Sequence, residues 1–241
     1  MLIIPEEIPA KINPWRCNFD FSKTERITAS GNDIVSVTDM FNTGITLSQS
    51  VSGNRPKTGL ATQNGLNVAS FTAASTHFLN FSVNTPMSVP FTIFVVGKSD
   101  SAVSAIQSFI GRQTATTAGQ WVLRRESSGG VFNSFGFGSG ALSSQAAKAS
   151  NNNGNIHTIS LGDNVALNYR LNNDSATVGT ARTGYDNAVA TPLALGASNN
   201  GGGSPLEGWI GQVIIYGYIL SATEIAGINR FLSKKWGIAI S

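Results

Sequence analysis

Charge is scarce in this 241-residue chain, with Asp, Glu, Lys and Arg together making up 12%, about half the usual share. Ser, Thr, Asn and Gly fill the gap, so the surface is polar but nearly uncharged. Such a surface suits a protein packed in an assembly, a secreted protein or a virion protein better than a cytosolic enzyme. The 16 basic residues exceed the 13 acids by 3. They are scattered, and the densest groups, Arg124-Arg125 and Lys234-Lys235, are not interleaved with aromatics as in a nucleic-acid groove. Both pairs read as a solvated strand edge and helix terminus, and no nucleic-acid partner is expected.

Cysteine and histidine are scarcer still. The lone Cys17 excludes an internal disulfide, and with only His77 and His157 there is no metal-ligating cluster. Cys17 is expected to be buried as a small apolar side chain. The start, Met-Leu-Ile-Ile-Pro-Glu-Glu, places acids where a signal peptide needs a basic region. No apolar run reaches the length of a membrane span. Synthesis in a host cytoplasm without secretory export is the expectation.

Paired carboxylates are missing too. A retaining glycosidase on a sheet needs acids at i and i+2, because only those share a face. None of the 13 acids form such a pair; Glu6 and Glu7 are adjacent, and Asp20 and Glu25 are five apart. There is no Gly-x-Ser-x-Gly elbow, and His157, on an alternating strand, reads as a hydrogen-bonded structural residue. No catalytic residue is assigned, and the chain is read as non-enzymatic.

What the chain does have is a series of short strand signals separated by Gly, Asn, Ser and Thr clusters. They include Asn67–Phe71, His77–Phe81, Phe91–Gly97, Ser108–Arg112, Gln120–Arg124, Val131–Phe137, His157–Leu161, Ala166–Leu171, Leu193–Gly196 and Trp209–Tyr216. Many strands and no alternating helices predict an all-β fold, a two-sheet antiparallel jelly-roll sandwich. Gly138–Gly154 and Asn199–Gly203 read as loops. Pro5, Pro9 and Pro14 block helix and central strand over residues 1–14, predicting an extended arm, either a frayed terminus or a segment that docks on a neighbouring subunit. Residues 15–241 form the domain.

One helix is predicted, at the C-terminus. Ser221 and Glu224 make a capping box. Ile225, Ile228 and Leu232 form an apolar stripe, and Lys234 and Lys235 complement the dipole at the far end. Trp236-Gly237 closes it.

Gly211-Gln-Val-Ile-Ile-Tyr216, Leu220-Ser-Ala-Thr-Glu224 and Lys235-Trp-Gly-Ile238 together resemble the concanavalin A-like, laminin G-like jelly-roll superfamily. The likeness is strongest to the variant common in bacteriophage structural proteins. Trp15–Asp20, Asn64-Gly65 with Val68–Phe71, Tyr169–Asn173 and Pro192–Gly196 resemble its other elements in order, although Asn173 stands where that pattern has glycine. The fold carries several unrelated functions, so function must come from a site.

With the low charge and the arm, the resemblance implies a non-enzymatic virion structural protein, such as a capsid decoration or tail-associated protein. Its partners would be other capsid or tail proteins or further copies of itself, and its location the virion. The alternative is a lectin-like adhesion module that binds a surface glycan. For that reading the candidate residues, by type, are Trp121 (equally a core residue), Arg124, Tyr169, Asn199 and Asn200. No cofactor or metal is assigned. Asp163 and Asp174 are of a type that supports calcium, but they read better as hairpin-turn residues.

The capping box generates a prediction. Ser221→Ala is expected to cost about 1 kcal/mol in urea denaturation through loss of the N-cap hydrogen bond; no loss would place the helix start elsewhere.

Overall fold

The run Phe91–Gly97 lacks polar alternation because both of its faces are covered. In the computed structural model, Ile93 and Val95 point to a second sheet, while Phe94 and Val96 point to the C-terminal helix. A strand covered on both sides reads as a continuous apolar run. The structure describes residues 16–82, 90–100, 105–112, 120–126, 132–138, 144–149, 153–162, 165–179, 193–199 and 201–241. The arm expected over residues 1–14 lies outside the described residues.

In chain order the strands are β1 (Arg16–Asp20), β2 (Ile27–Ser30), β3 (Asp33–Thr38), β4 (Thr46–Ser48), β5 (Thr62–Gln63), β6 (Leu66–Asn67) and β7 (Ala69–Phe71). Next come β8 (Leu79–Phe81), β9 (Phe91–Ser99), β10 (Gln107–Arg112), β11 (Gln120–Arg125), β12 (Phe132–Gly138) and β13 (Ser144–Ala149). The set closes with β14 (Asn155–Gly162), β15 (Val165–Leu171), β16 (Thr177–Val178), β17 (Ala194–Leu195) and β18 (Gly208–Tyr216), followed by helix α1 (Ala222–Trp236).

One sheet runs β1-β18-β9-β14-β15-β16, with β7 also paired to β18; the other runs β13-β12-β11-β10-β17-β8-β4-β3-β2. Strand β18 has two successive partners on one edge, β7 along Gly208–Ile210 and β1 along Gln212–Tyr216, and lies against β9 on the other. The pairings are antiparallel. The expected two-sheet jelly-roll sandwich with one C-terminal helix is the architecture found.

The loop expected over Gly138–Gly154 changes in part. Ser144–Ala149, within a stretch read as loop, is edge strand β13, with Phe132 opposite Ala149 and Phe137 opposite Ser144. The segment Ser-Gln-Ala-Ala-Lys-Ala has little strand propensity of its own, so the ladder offered by β12 decides its conformation.

Between the sheets lie Cys17, Phe19, Phe21, Phe71, Phe91, Phe109, Val213 and Ile215, all essentially inaccessible. Burial also raises the Cys17 thiol pKa well above its ordinary value, with Asp39 adding to the effect. A second apolar layer on the outer face of the β18 sheet, containing Phe94, Val96, Ile156 and Ile214, is covered by Ile225, Leu232 and Trp236 of α1. The capping box is present: Glu224 N donates to Ser221 Oγ at 3.3 Å, and Ser221 N donates to Glu224 Oε2 at 2.7 Å. Gly237 at φ 64 ends the helix, a left-handed position that favours glycine. The stripe differs in detail. Asn229, not Ile228, is fully buried, and Thr158 Oγ1 donates to its Oδ1 at 3.0 Å.

Lys235 is not the solvated helix terminus expected from the sequence. Its Nζ forms an ion pair with Asp20 of β1 and donates to Gln212 Oε1 at 3.0 Å. The same Gln212 oxygen accepts Trp236 Nε1 at 3.1 Å, and Gln212 Nε2 donates to Asn18 Oδ1 at 2.9 Å. Burial lowers the Lys235 pKa, and Asp20 opposes that fall.

The other expected structural residue, His157, is fully buried on β14. Its Nδ1 lies 2.9 Å from Tyr169 Oη, and its ring is 4.6 Å from that of Phe109. Nε2 has no hydrogen-bond partner among the described residues. Burial lowers its pKa from 6.5 to about 3. The unfolded chain therefore takes up a proton near pH 6.5 while the folded chain stays neutral. The contribution is complete above that pH and is lost as pH falls toward 3, by at most about 1.4 kcal/mol per pH unit. Urea denaturation at about pH 7 and pH 4.5 should show a smaller acid loss in His157→Gln than in the parent; equal losses would mean that His157 is not held neutral.

Candidate functional site

Alternation along β11 determines what the sequence-selected residues can do. Trp121 and Arg124 are three apart, so they point to opposite faces of the strand. Trp121 is 1% exposed between the sheets, with its ring 5.7 Å from that of Phe91. Arg124 is on the outer face, with Nε 2.9 Å from Glu126 Oε1. Tyr169 belongs to the other sheet, is fully buried, and stacks parallel to His157 at 6.1 Å. Neither aromatic ring presents a face to a sugar, which corrects the expectation for Trp121 and Tyr169.

Asn199 is occupied locally. Its Oδ1 accepts Gly201 N at 2.9 Å and Gly203 N at 3.1 Å, which fixes the glycine turn. Asn200 lies outside the described residues, as does Asp163. Asp174 Oδ1 accepts Leu171 N at 3.0 Å, the hairpin role anticipated for it. No group of three His, Cys, Asp or Glu residues suited to a metal occurs among the described residues.

A different place combines an accessible aromatic with polar groups. A cleft of about 570 Å³ opens where β18 begins, lined by Thr62, Gln63, Lys98, Asn153, Gly154, Asn172, Trp209 and the start of the tail after α1. A β-bulge creates it. The register shifts between Ile210 and Gln212, so Gly211 is an extra residue in β18. Strict alternation back from outward-facing Gln212 would turn Trp209 into the core. The bulge reverses this: Ile210 joins the core and Trp209 faces outward. Glycine is needed there because a Cβ on Gly211 would lie 2.9 Å from the Trp236 ring.

Trp209 is half-buried and stands directly opposite Lys98 of β9. A Cβ on Gly154 would lie 2.7 Å from Cη2 of the indole, so glycine allows the ring to settle there. The rim is pre-arranged. Asn172 Oδ1 accepts Ile156 N at 2.8 Å, and its Nδ2 donates to Asn155 Oδ1 at 3.0 Å. Gln63 Nε2 donates to Trp236 O at 2.8 Å, and Asn64 Nδ2 to Lys235 O at 3.0 Å, satisfying late helix carbonyls. Gln63 Oε1, the Thr62 hydroxyl and the Lys98 ammonium have no partner among the described residues and can meet a ligand. Among the described residues no acidic side chain lines the cleft; the groups that do line it offer stacking, hydrogen bonding and one positive charge.

The sequence reading passed over Trp209 and Lys98. The available signal was Gly211, an isolated glycine inside a strand pattern, which suggests a bulge.

No protein-family model matches the chain, and no curated protein matches it. Solved structures do. One is domain 4 of AbnA, a GH43 extracellular arabinanase from Geobacillus stearothermophilus, in complex with arabinotriose. It has a TM-score of 0.61 at 14% identity and covers 88% of this chain and 97% of that one. Another is a botulinum neurotoxin type C structure, described as depending on interaction with two ganglioside molecules for cell entry. It has a TM-score of 0.55 at 10% identity, and covers 83% of this chain and 51% of that one, so the chain spans about half its length. At such identities the likeness shows the fold, and the chain is an all-β jelly-roll sandwich. A link to bacteriophage proteins is not among these similarities.

The close fit of the indole edge to Gly154 can be tested. Gly154→Val is expected to overpack this wall and cost about 1–3 kcal/mol in urea denaturation; a neutral substitution would show that the indole readily moves aside.

Proposed function

We propose that the protein is a non-catalytic carbohydrate-binding module that holds a short saccharide in the Trp209 cleft. The observation that carries this reading is a half-buried indole flanked by Lys98, Thr62, Gln63 and Asn172 in a cleft with no acidic side chain among the described residues. An aromatic face packs against the C–H face of a sugar ring, while neighbouring polar groups bond to its hydroxyls. The volume, about 570 Å³, is in the range of small-molecule sites. The similar arabinanase domain was solved with arabinotriose bound, which supports a saccharide as the class of ligand. No described helix is long and apolar enough to cross a membrane.

The virion role implied by the sequence, with capsid or tail partners, rests on the low charge, the proline arm and the resemblance alone. The similar solved structures favour the glycan-binding alternative. A virion location is compatible with it, since an exposed decoration can also adhere to a polysaccharide.

A glycan array probed with the full chain, with and without calcium, tests the proposal. Specific binding is expected, and Trp209→Ala should weaken it by about 2 kcal/mol, roughly thirtyfold, without changing the β-rich circular dichroism. Absence of signal on every glycan, or full binding by the variant, would overturn the assignment.

A further inference from the structure

Resting on the glycan-binding reading of this cleft, we infer that its ligand is an anionic saccharide and that Lys98 selects it. Among the described residues the Lys98 ammonium has no ion-pair or hydrogen-bond partner, and no acidic side chain lines the cleft around it. Three described cations are instead matched to acids, Lys57 to Asp33, Arg124 to Glu126 and Lys235 to Asp20. What sets Lys98 apart from other cations without an acid partner is its place in the cleft, opposite the indole.

Its position is set by the backbone. Lys98 and Trp209 are direct cross-strand neighbours on the outer face, a pairing that brings side chains within about 5 Å at Cβ. A sugar stacked on the indole therefore brings its ring substituents to the ammonium. A neutral sugar would displace water from this charge and return only neutral hydrogen bonds, which is costly for a charged donor. A carboxylate or sulfate on the ring would return a charge-assisted hydrogen bond, about twice as strong as a neutral one. The nearby amides do not blur this preference, because Asn172 and the Gln63 amide nitrogen are committed to protein partners. An ammonium acts as a point charge and does not distinguish the planar carboxylate from the tetrahedral sulfate. The shared property is negative charge on the sugar.

Matched glycan pairs test the inference on the full chain. Oligogalacturonate is compared with its methyl ester, carrageenan oligosaccharide with its desulfated form, and each glycan bound on the array with its acidic or neutral counterpart. The parent should bind acidic members about tenfold more tightly, with a preference that shrinks as sodium chloride is raised. Lys98→Gln should reduce the ratio to near one by weakening the acidic member more than the neutral one, and Lys98→Arg should retain it. The first pair assigns the anion as carboxylate, the second as sulfate. Equal binding of charged and neutral members by the parent would overturn the inference and leave the glycan reading standing. So would an acidic preference that survives Lys98→Gln. No glycan bound at all would overturn both.

Discussion

Gln212 joins the two ends of this sandwich. Its side chain bonds at one end to Asn18 of the first strand, and at the other to Trp236 and Lys235 of the terminal helix. Lys235 in turn pairs with Asp20. A buried amide that fills both of its ends is worth keeping only if every partner is present, because an unsatisfied group in that setting costs about 1–3 kcal/mol. The helix is thereby fixed in rotation as well as position. The apolar layer beneath it, Phe94, Val96, Ile156 and Ile214, would hold a helix by burial alone but would not dictate its register. The tail after Gly237 then forms one wall of the cleft. The binding surface thus inherits its shape from a hydrogen-bond network that it does not contain.

The bulge at Gly211 is the second constraint, and it ties the two tryptophans together. One residue inserted into β18 makes room for Trp236 above it and turns Trp209 outward beside it. Closing the sandwich and exposing the platform are two results of the same local distortion. Bulges often re-aim a side chain near a functional site.

The helix could be read from the sequence because its signals are local. The capping box spans four residues, the stripe follows one period, and the left-handed glycine follows the last turn. The sandwich class was equally legible, since many short strands leave few other architectures. The site was not. Trp121, Arg124 and Tyr169 were chosen by residue type, and type does not say which face a strand residue occupies. Two of them proved to be core. Trp209 was hidden by the same problem: the sequence placed it at the start of a strand, Trp209–Tyr216, without saying which face it takes. Only the register with β9, a long-range fact, places it opposite Lys98. Edge strand β13 was missed for a related reason, its conformation being imposed by β12.

The place of β18 in the sheet also affects how the chain can mature. Gly208–Tyr216 lies between β9 on one side and β7 and β1 on the other, so the earlier strands of that sheet have no middle until residue 216 has been made. During synthesis the chain must hold β1 and β9 apart as unpaired edges, which are open to association with other chains. Long-range pairing of this kind slows folding. A ribosome that stalls before Gly208 would release a sheet with a gap at its centre. The scarcity of charge then has a cost during biogenesis, because few like charges are available to keep those waiting edges apart.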